Sequence, residues 1–109
     1  MEGRLECEIG GIAGDRPRTV KVRGEVDLAT APELETTVKQ VLDHAPHGVD
    51  LDLQDLTFID SSGLRSLVAL SKDASARGLS LALRNVPRHA QRVLELTGLD
   101  AWFDLKTGS

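Results

Sequence analysis

Asp60-Ser61-Ser62-Gly63 sets a carboxylate and two hydroxyls in a row where one apolar run ends and another begins. Leu56 to Ile59 precede them; Leu64, Leu67 and Val68 follow at helical spacing. The turn therefore opens a helix, and either Asp60 or Ser61 is placed to cap it by accepting a first-turn N–H. The N–H groups there carry partial positive charge and favour an anion. One cap suffices, so Ser61 and Ser62 are either small polar first-turn residues or hydroxyls with another use. Nucleophilic catalysis would need a base within hydrogen-bond reach of the serine and a group that orients the base. The histidines are His44, His47 and His89. His89 lies in the first turn of a later helix, on an edge it shares with Ser61, but no Gly-x-Ser-x-Gly elbow is present. His44 and His47 flank Ala45-Pro46, a loop, which makes a poor metal pair. Asp50, Asp52 and Asp55 alternate with leucines, as a solvated sheet face does. Neither a Gly-x-Gly-x-x-Gly nor a phosphate loop ending in Lys-Ser or Lys-Thr occurs.

The elements that must hold this turn are legible in the periodicity. Leu5, Cys7 and Ile9 alternate with Arg4, Glu6 and Glu8, a strand with one wet face and a buried thiol. Gly10 to Pro17 reads as a hairpin loop. Val20, Val22 and Val26 line the inner face of a second strand, where Gly24 signals a bulge or close backbone approach. Thr30-Ala31-Pro32-Glu33 reads as a capping box, with Pro32 tolerated in the first turn. Leu34, Val38, Val41 and Leu42 form the stripe of that helix, which Ala45 to Gly48 end. Val49, Leu51 and Leu53 give a third strand, and Phe58 and Ile59 are expected to be buried before the turn. The helix after the turn stops at Gly78. Leu79, Leu81 and Leu83 make a fourth strand. Pro87 opens a third helix with Ala90, Val93 and Leu94 inward, and Gly98 closes it. Trp102 to Leu105 predicts a short last strand. The order ββαβαβαβ predicts an α/β domain with a mixed, mostly parallel sheet and an N-terminal antiparallel hairpin. Strands buried on both faces read as continuous apolar runs. These alternate, so the helices should lie mainly on one face, unlike a doubly wound nucleotide-binding sheet.

The chain of 109 residues suits one domain over 1–109, with its core at about 4–105. Apolar residues make up 40 % and charged residues 28 %, as in globular chains; aromatics make up 3 %, too few for a base-stacking platform. The net charge of −4 disfavours a nucleic-acid partner. Cys7 is the lone cysteine, which excludes an internal disulfide and fits a reducing compartment. No apolar run approaches the ~20 residues of a membrane span, and no signal peptide is visible. A cytoplasmic location, with no membrane and no cofactor, is expected.

"VRGEVDLATAPEL", "DLDLQDLTFIDSSGLRSLVAL" and "RGLSLALRNVPRHAQRVLELTGLD" together resemble the STAS-domain anti-sigma factor antagonists of bacteria, from about Val20 to Phe103. The pairing of Gly-Glu-Val-Asp with Asp-Ser-Ser-Gly is the specific part. The resemblance implies a partner-switching protein and not an enzyme. It implies that the unmodified chain binds an anti-sigma factor with serine kinase activity and so frees a sigma factor. It implies that the kinase phosphorylates Ser61, that a PP2C-type phosphatase reverses this, and that Asp27 belongs to an acidic loop near that serine. Asp27, Asp60, Ser61, Ser62, Gly63 and Arg65 are the expected contact residues. Arg65 is the one pointing away from the apolar stripe, whereas Leu64 is expected in the core. The chain stops at Ser109, so the family's usual C-terminal helix is not expected. A scaffold of the same fold that is never phosphorylated, and a serine-nucleophile enzyme, are the alternatives.

Overall fold

The structure is a computed structural model and describes residues 5–11 and 16–106, the last three as backbone only. The strands are β1 (Leu5–Gly10), β2 (Arg18–Val26), β3 (Val49–Asp52), β4 (Leu56–Ile59), β5 (Leu81–Arg84) and β6 (Asp104–Lys106). The helices are α1 (Ala31–Leu42), α2 (Ser61–Ala76) and α3 (Arg88–Thr97). A short 3₁₀ turn, Leu99–Ala101, precedes β6, so Trp102 stands before the last strand rather than in it. Most of the hairpin loop expected at Gly10 to Pro17 lies outside the described residues, as do Arg4 and the end of the chain.

The expected class holds, with one more strand than the alternation revealed. β2 is the hub. It pairs antiparallel with β1 and parallel with two strands that lie end to end beside it. Arg18–Lys21 pair with β3, and Gly24–Val26 pair with β4. The sheet order is β1-β2-β3-β5-β6, with β4 on β2 alone. A turn at Gln54-Asp55 moves the chain from one track to the other. The Asp52 carboxylate accepts the Gln54 N–H at 3.1 Å, and Gly24 N–H donates to the Asp55 carbonyl at 3.1 Å.

One face of the sheet carries the core. Val20, Val22, Leu51 and Leu83 pack with Leu34 and Val38 of α1, Leu67 and Leu70 of α2, and Leu94 of α3 in one cluster. Ala82, buried on the opposite face of β5, stands outside that cluster. The alternation thus does what it predicts: all three helices bury their stripes on one side. The other side is less solvated than expected. Asp50 is only 6 % exposed and is paired with Arg84 at 2.9 Å, while Asp52 accepts from the Asn85 amide at 3.0 Å. A carboxylate enclosed among strands needs such a partner to offset its lost hydration. No cluster of three metal-ligating side chains occurs among the described residues.

Two residues expected inward are exposed. Ile9 is 49 % exposed, at the end of an edge strand. Phe58 is 47 % exposed, and the reason is a bulge. The β2–β4 register steps from Gly24↔Leu56 to Glu25↔Phe58, leaving Thr57 without an opposite residue. An extra residue reverses the alternation beyond it. Phe58 therefore turns outward, and Ile59 turns into the core opposite Val26. Gly24, at φ 103°, takes the conformation that the bulge requires, and its carbonyl accepts the Thr57 hydroxyl at 3.1 Å. Cys7 is half-buried rather than sealed; burial, and secondarily the Glu33 carboxylate, push its thiol pKa up from 9.0. Among the described residues no helix is long and apolar enough to cross a membrane.

Candidate functional site

Two neighbouring strands end together and send the chain into two helices. Val26 of β2 pairs with Ile59 of β4, and Asp60 N–H donates to the Val26 carbonyl at 3.3 Å. The next residue along each chain is an aspartate, Asp27 or Asp60.

Asp60 resolves the choice of cap. It has the extended backbone of an N-cap (φ −112°, ψ −169°), and its Oδ1 accepts the Gly63 N–H at 3.1 Å. Ser61 and Ser62 are left over: their hydroxyls make no hydrogen bond among the described residues. Ser61 is exposed and Ser62 half-buried. Asp60→Ala should cost about 1 kcal/mol of stability, as cap removal does, lowering the melting temperature by about 4–8 °C in calorimetry.

Gly63 explains why the turn is so tight. Its backbone is not left-handed; what it needs is space. A Cβ there would lie 2.6 Å from Ile59 Cγ1 and 2.8 Å from the Val26 carbonyl oxygen. The first turn of α2 is thus pressed onto the ends of β2 and β4, and this fixes where Ser61 emerges. Gly63 is itself buried, so it shapes the turn rather than offering surface.

The opposing loop is built differently from the expected capping box. Thr30 has a near-helical backbone (φ −105°, ψ −16°) and makes no side-chain cap bond. Asp27 takes over. Its Oδ1 accepts the N–H groups of Ala29 at 3.0 Å and Thr30 at 3.1 Å. The Thr30 hydroxyl points back, donating to the Glu25 carbonyl at 2.8 Å and accepting the Asp27 N–H at 2.9 Å. An Asp side chain that bonds the backbone two residues on closes a turn by itself. This leaves Leu28 at the apex, 76 % exposed.

Leu64 is buried and Arg65 is exposed. Arg65 makes no ion pair among the described residues. The second turn of α2 is tied to α1 by Ser66, a buried serine whose hydroxyl donates to Glu35 Oε2 at 2.5 Å. His89 is exposed, and its Nε2–H donates to the Leu56 carbonyl at 3.0 Å. That nitrogen faces the start of β4, so it is not aimed at Ser61. His44 and His47 are exposed at the far end of α1.

Leu28, Phe58 and Ser66 escape sequence reasoning in different ways. Leu28 looks like one apolar residue in a polar loop. Phe58 is disguised by the bulge. Ser66 sits between Leu64 and Leu67, and that position on the stripe was the available signal.

Residues 13–106 match the family model described as "Mlab, STAS domain". An anti-sigma-B factor antagonist of Staphylococcus epidermidis is 30 % identical over 105 residues, covering 96 % of this chain and 97 % of its own. The crystal structure of an anti-sigma factor antagonist from Mycobacterium paratuberculosis superposes with a TM-score of 0.75 at 31 % identity, covering 94 % of this chain and 85 % of that one. The Bacillus cell fate determinant SpoIIAA in its phosphorylated form shares the fold, with a TM-score of 0.70 at 17 % identity over 96 % of this chain and 91 % of that one.

Proposed function

The chain belongs to the STAS domain family, and from that premise we propose that it is an anti-sigma factor antagonist switched at Ser61. Unmodified, it binds an anti-sigma factor that is also a serine kinase, and a sigma factor is released. The kinase inactivates it: Ser61 Oγ loses its proton and takes the γ-phosphoryl group of ATP, and ADP leaves. A PP2C-type phosphatase hydrolyses the ester and restores the hydroxyl.

The observation that carries this reading is the idle, exposed Ser61 hydroxyl beside a cap that Asp60 already makes. Capping needs no serine here, and the Asp60 carboxylate leaves Ser61 Oγ free to meet another protein. The named relatives support the partner class, since they are antagonists of anti-sigma factors.

The contact surface has an apolar part at the same sheet end. Leu64 cannot supply it, being buried; Leu28 and Phe58 stand exposed instead. Their neighbours Glu25, Asp27 and Asp60 are acidic. The partner is therefore expected to offer an apolar pocket there, with hydrogen-bonding rather than cationic groups opposite the Ser61 hydroxyl. Leu28→Ala should weaken the complex about tenfold while leaving the melting temperature unchanged, because the side chain contributes little to the isolated fold.

The test is a titration of the chain against the purified anti-sigma factors of its source organism, with sigma factor release as the readout. A saturable complex that frees sigma factor is expected, and Ser61→Ala should form it while resisting inactivation by kinase and ATP. Binding by wild type without any effect of ATP would identify a constitutive scaffold. No complex with any of them would overturn the proposal.

A further inference from the structure

Arg65 makes no hydrogen bond or ion pair among the described residues, yet its position is specific. It lies four residues after Ser61 in α2, where side chains of a helix are neighbours, with Cβ atoms about 5–6 Å apart. Both residues are exposed, and α2 carries no acidic residue in its first turn that would claim the guanidinium. Arg65 makes no ion pair among the described residues. An arginine in reach of a phosphate dianion forms a charge-assisted, bidentate contact.

We propose that Arg65 is the intramolecular counter-ion of a phosphate carried by Ser61. This rests on the reading of Ser61 as the modified residue and adds a second half to the switch. In the unmodified chain the guanidinium is free to meet the partner. After phosphorylation it folds onto the phosphate along the helix face, so one modification adds a dianion and withdraws a cation from the same surface. The acidic side chains on the adjoining elements are Asp60 in the turn, Glu25 on β2, Asp27 just beyond it, and Glu35 on α1, which is held by Ser66. Arg65 supplies positive charge on the helix face of Ser61 itself.

The pairing is measured without a kinase by installing phosphoserine at position 61 during translation. The second ionisation of the phosphate is then followed by ³¹P NMR across pH 4.5 to 8 in wild type, Arg65→Gln, Arg65→Lys and Arg92→Gln. Arg92 is an exposed arginine on α3 and reports the general field of a lost positive charge. The wild-type midpoint should lie below that of Arg65→Gln by about 0.15–0.4 pH units, the size carried by an exposed pair four residues apart. Arg65→Lys should recover part of the difference, and Arg92→Gln should match wild type. Equal midpoints in wild type and Arg65→Gln, or an equal shift from Arg92→Gln, would overturn the pairing. Since this readout uses no partner protein, its failure would leave the Ser61 switch standing; failure of the kinase to modify Ser61 would remove the switch whatever the NMR result.

Discussion

Ser61→Asp is expected to lower affinity for the anti-sigma partner by at least about a hundredfold while the domain stays folded. The two halves of this expectation come from one location. Ser61 is the first residue of α2, where the unpaired N–H groups and the helix dipole favour negative charge. A carboxylate there is stabilised within the chain, so the melting temperature should hold or rise slightly. The partner experiences the same charge from outside. Its surface must already accommodate the acidic groups Asp60, Asp27 and Glu25 around a neutral hydroxyl. An added charge facing groups arranged for a hydroxyl costs several kcal/mol, and ~4 kcal/mol corresponds to about a thousandfold. A phosphate, with about −1.5 to −2 charges, reaches that figure, and an aspartate with a single charge falls short of it. Isothermal titration and calorimetry on the same preparation check both halves. Unchanged affinity would deny the electrostatic switch, and a large fall in melting temperature would deny the local stabilisation.

Gly63→Ala should be the more damaging change for the fold. The new methyl would meet Ile59 Cγ1 at 2.6 Å, the Val26 carbonyl at 2.8 Å and Val26 Cγ1 at 2.9 Å. A side-chain atom can rotate away, but the Val26 carbonyl cannot. It accepts the Asp60 N–H and belongs to the last pair between β2 and β4. Either that hydrogen bond breaks or the first turn of α2 lifts from the sheet. Overpacking of this kind costs about 1–3 kcal/mol, and contact with an anchored backbone atom places this case near about 3. The expected fall in melting temperature is about 12 °C or more. A fall of under 2 °C would show that the turn is looser than its geometry. Because Gly63 is buried and Ser61 exposed, the two substitutions separate fold from function: one lowers stability, the other lowers binding.

These expectations trace back to what periodicity does and does not encode. The helix stripes and the alternating strands are legible because burial of one face imposes a period. Leu34, Val38, Leu64, Leu67 and Leu94 are therefore all core residues, as their spacing implies. The one-sided arrangement of helices follows from the same alternation. β4 is hidden because the bulge at Thr57 breaks the alternation within it, whereas β3 and β5, no longer than β4, keep theirs. Gly24 marked the irregularity without showing which strand carried the extra residue. Thr30 does stand at the N-cap position of α1, as the pattern implied, but the Asp27 turn draws its hydroxyl away from the helix: Asp27 Oδ1 accepts the Ala29 and Thr30 N–H groups ahead of α1, while the Thr30 hydroxyl turns back to the Glu25 carbonyl. At the Asp-Ser-Ser-Gly turn the excess of hydroxyls was visible, but their division of labour depended on which oxygen faces which N–H.

The most direct test of the Ser61 switch is mass spectrometry of the chain after incubation with the anti-sigma kinase and ATP, followed by a binding titration of the modified product. One phosphate mapped to Ser61, with affinity for the kinase lowered about a thousandfold relative to the unmodified chain, is the expected result. A phosphate on another residue, or a Ser61-phosphorylated chain that binds as tightly as before, would contradict it.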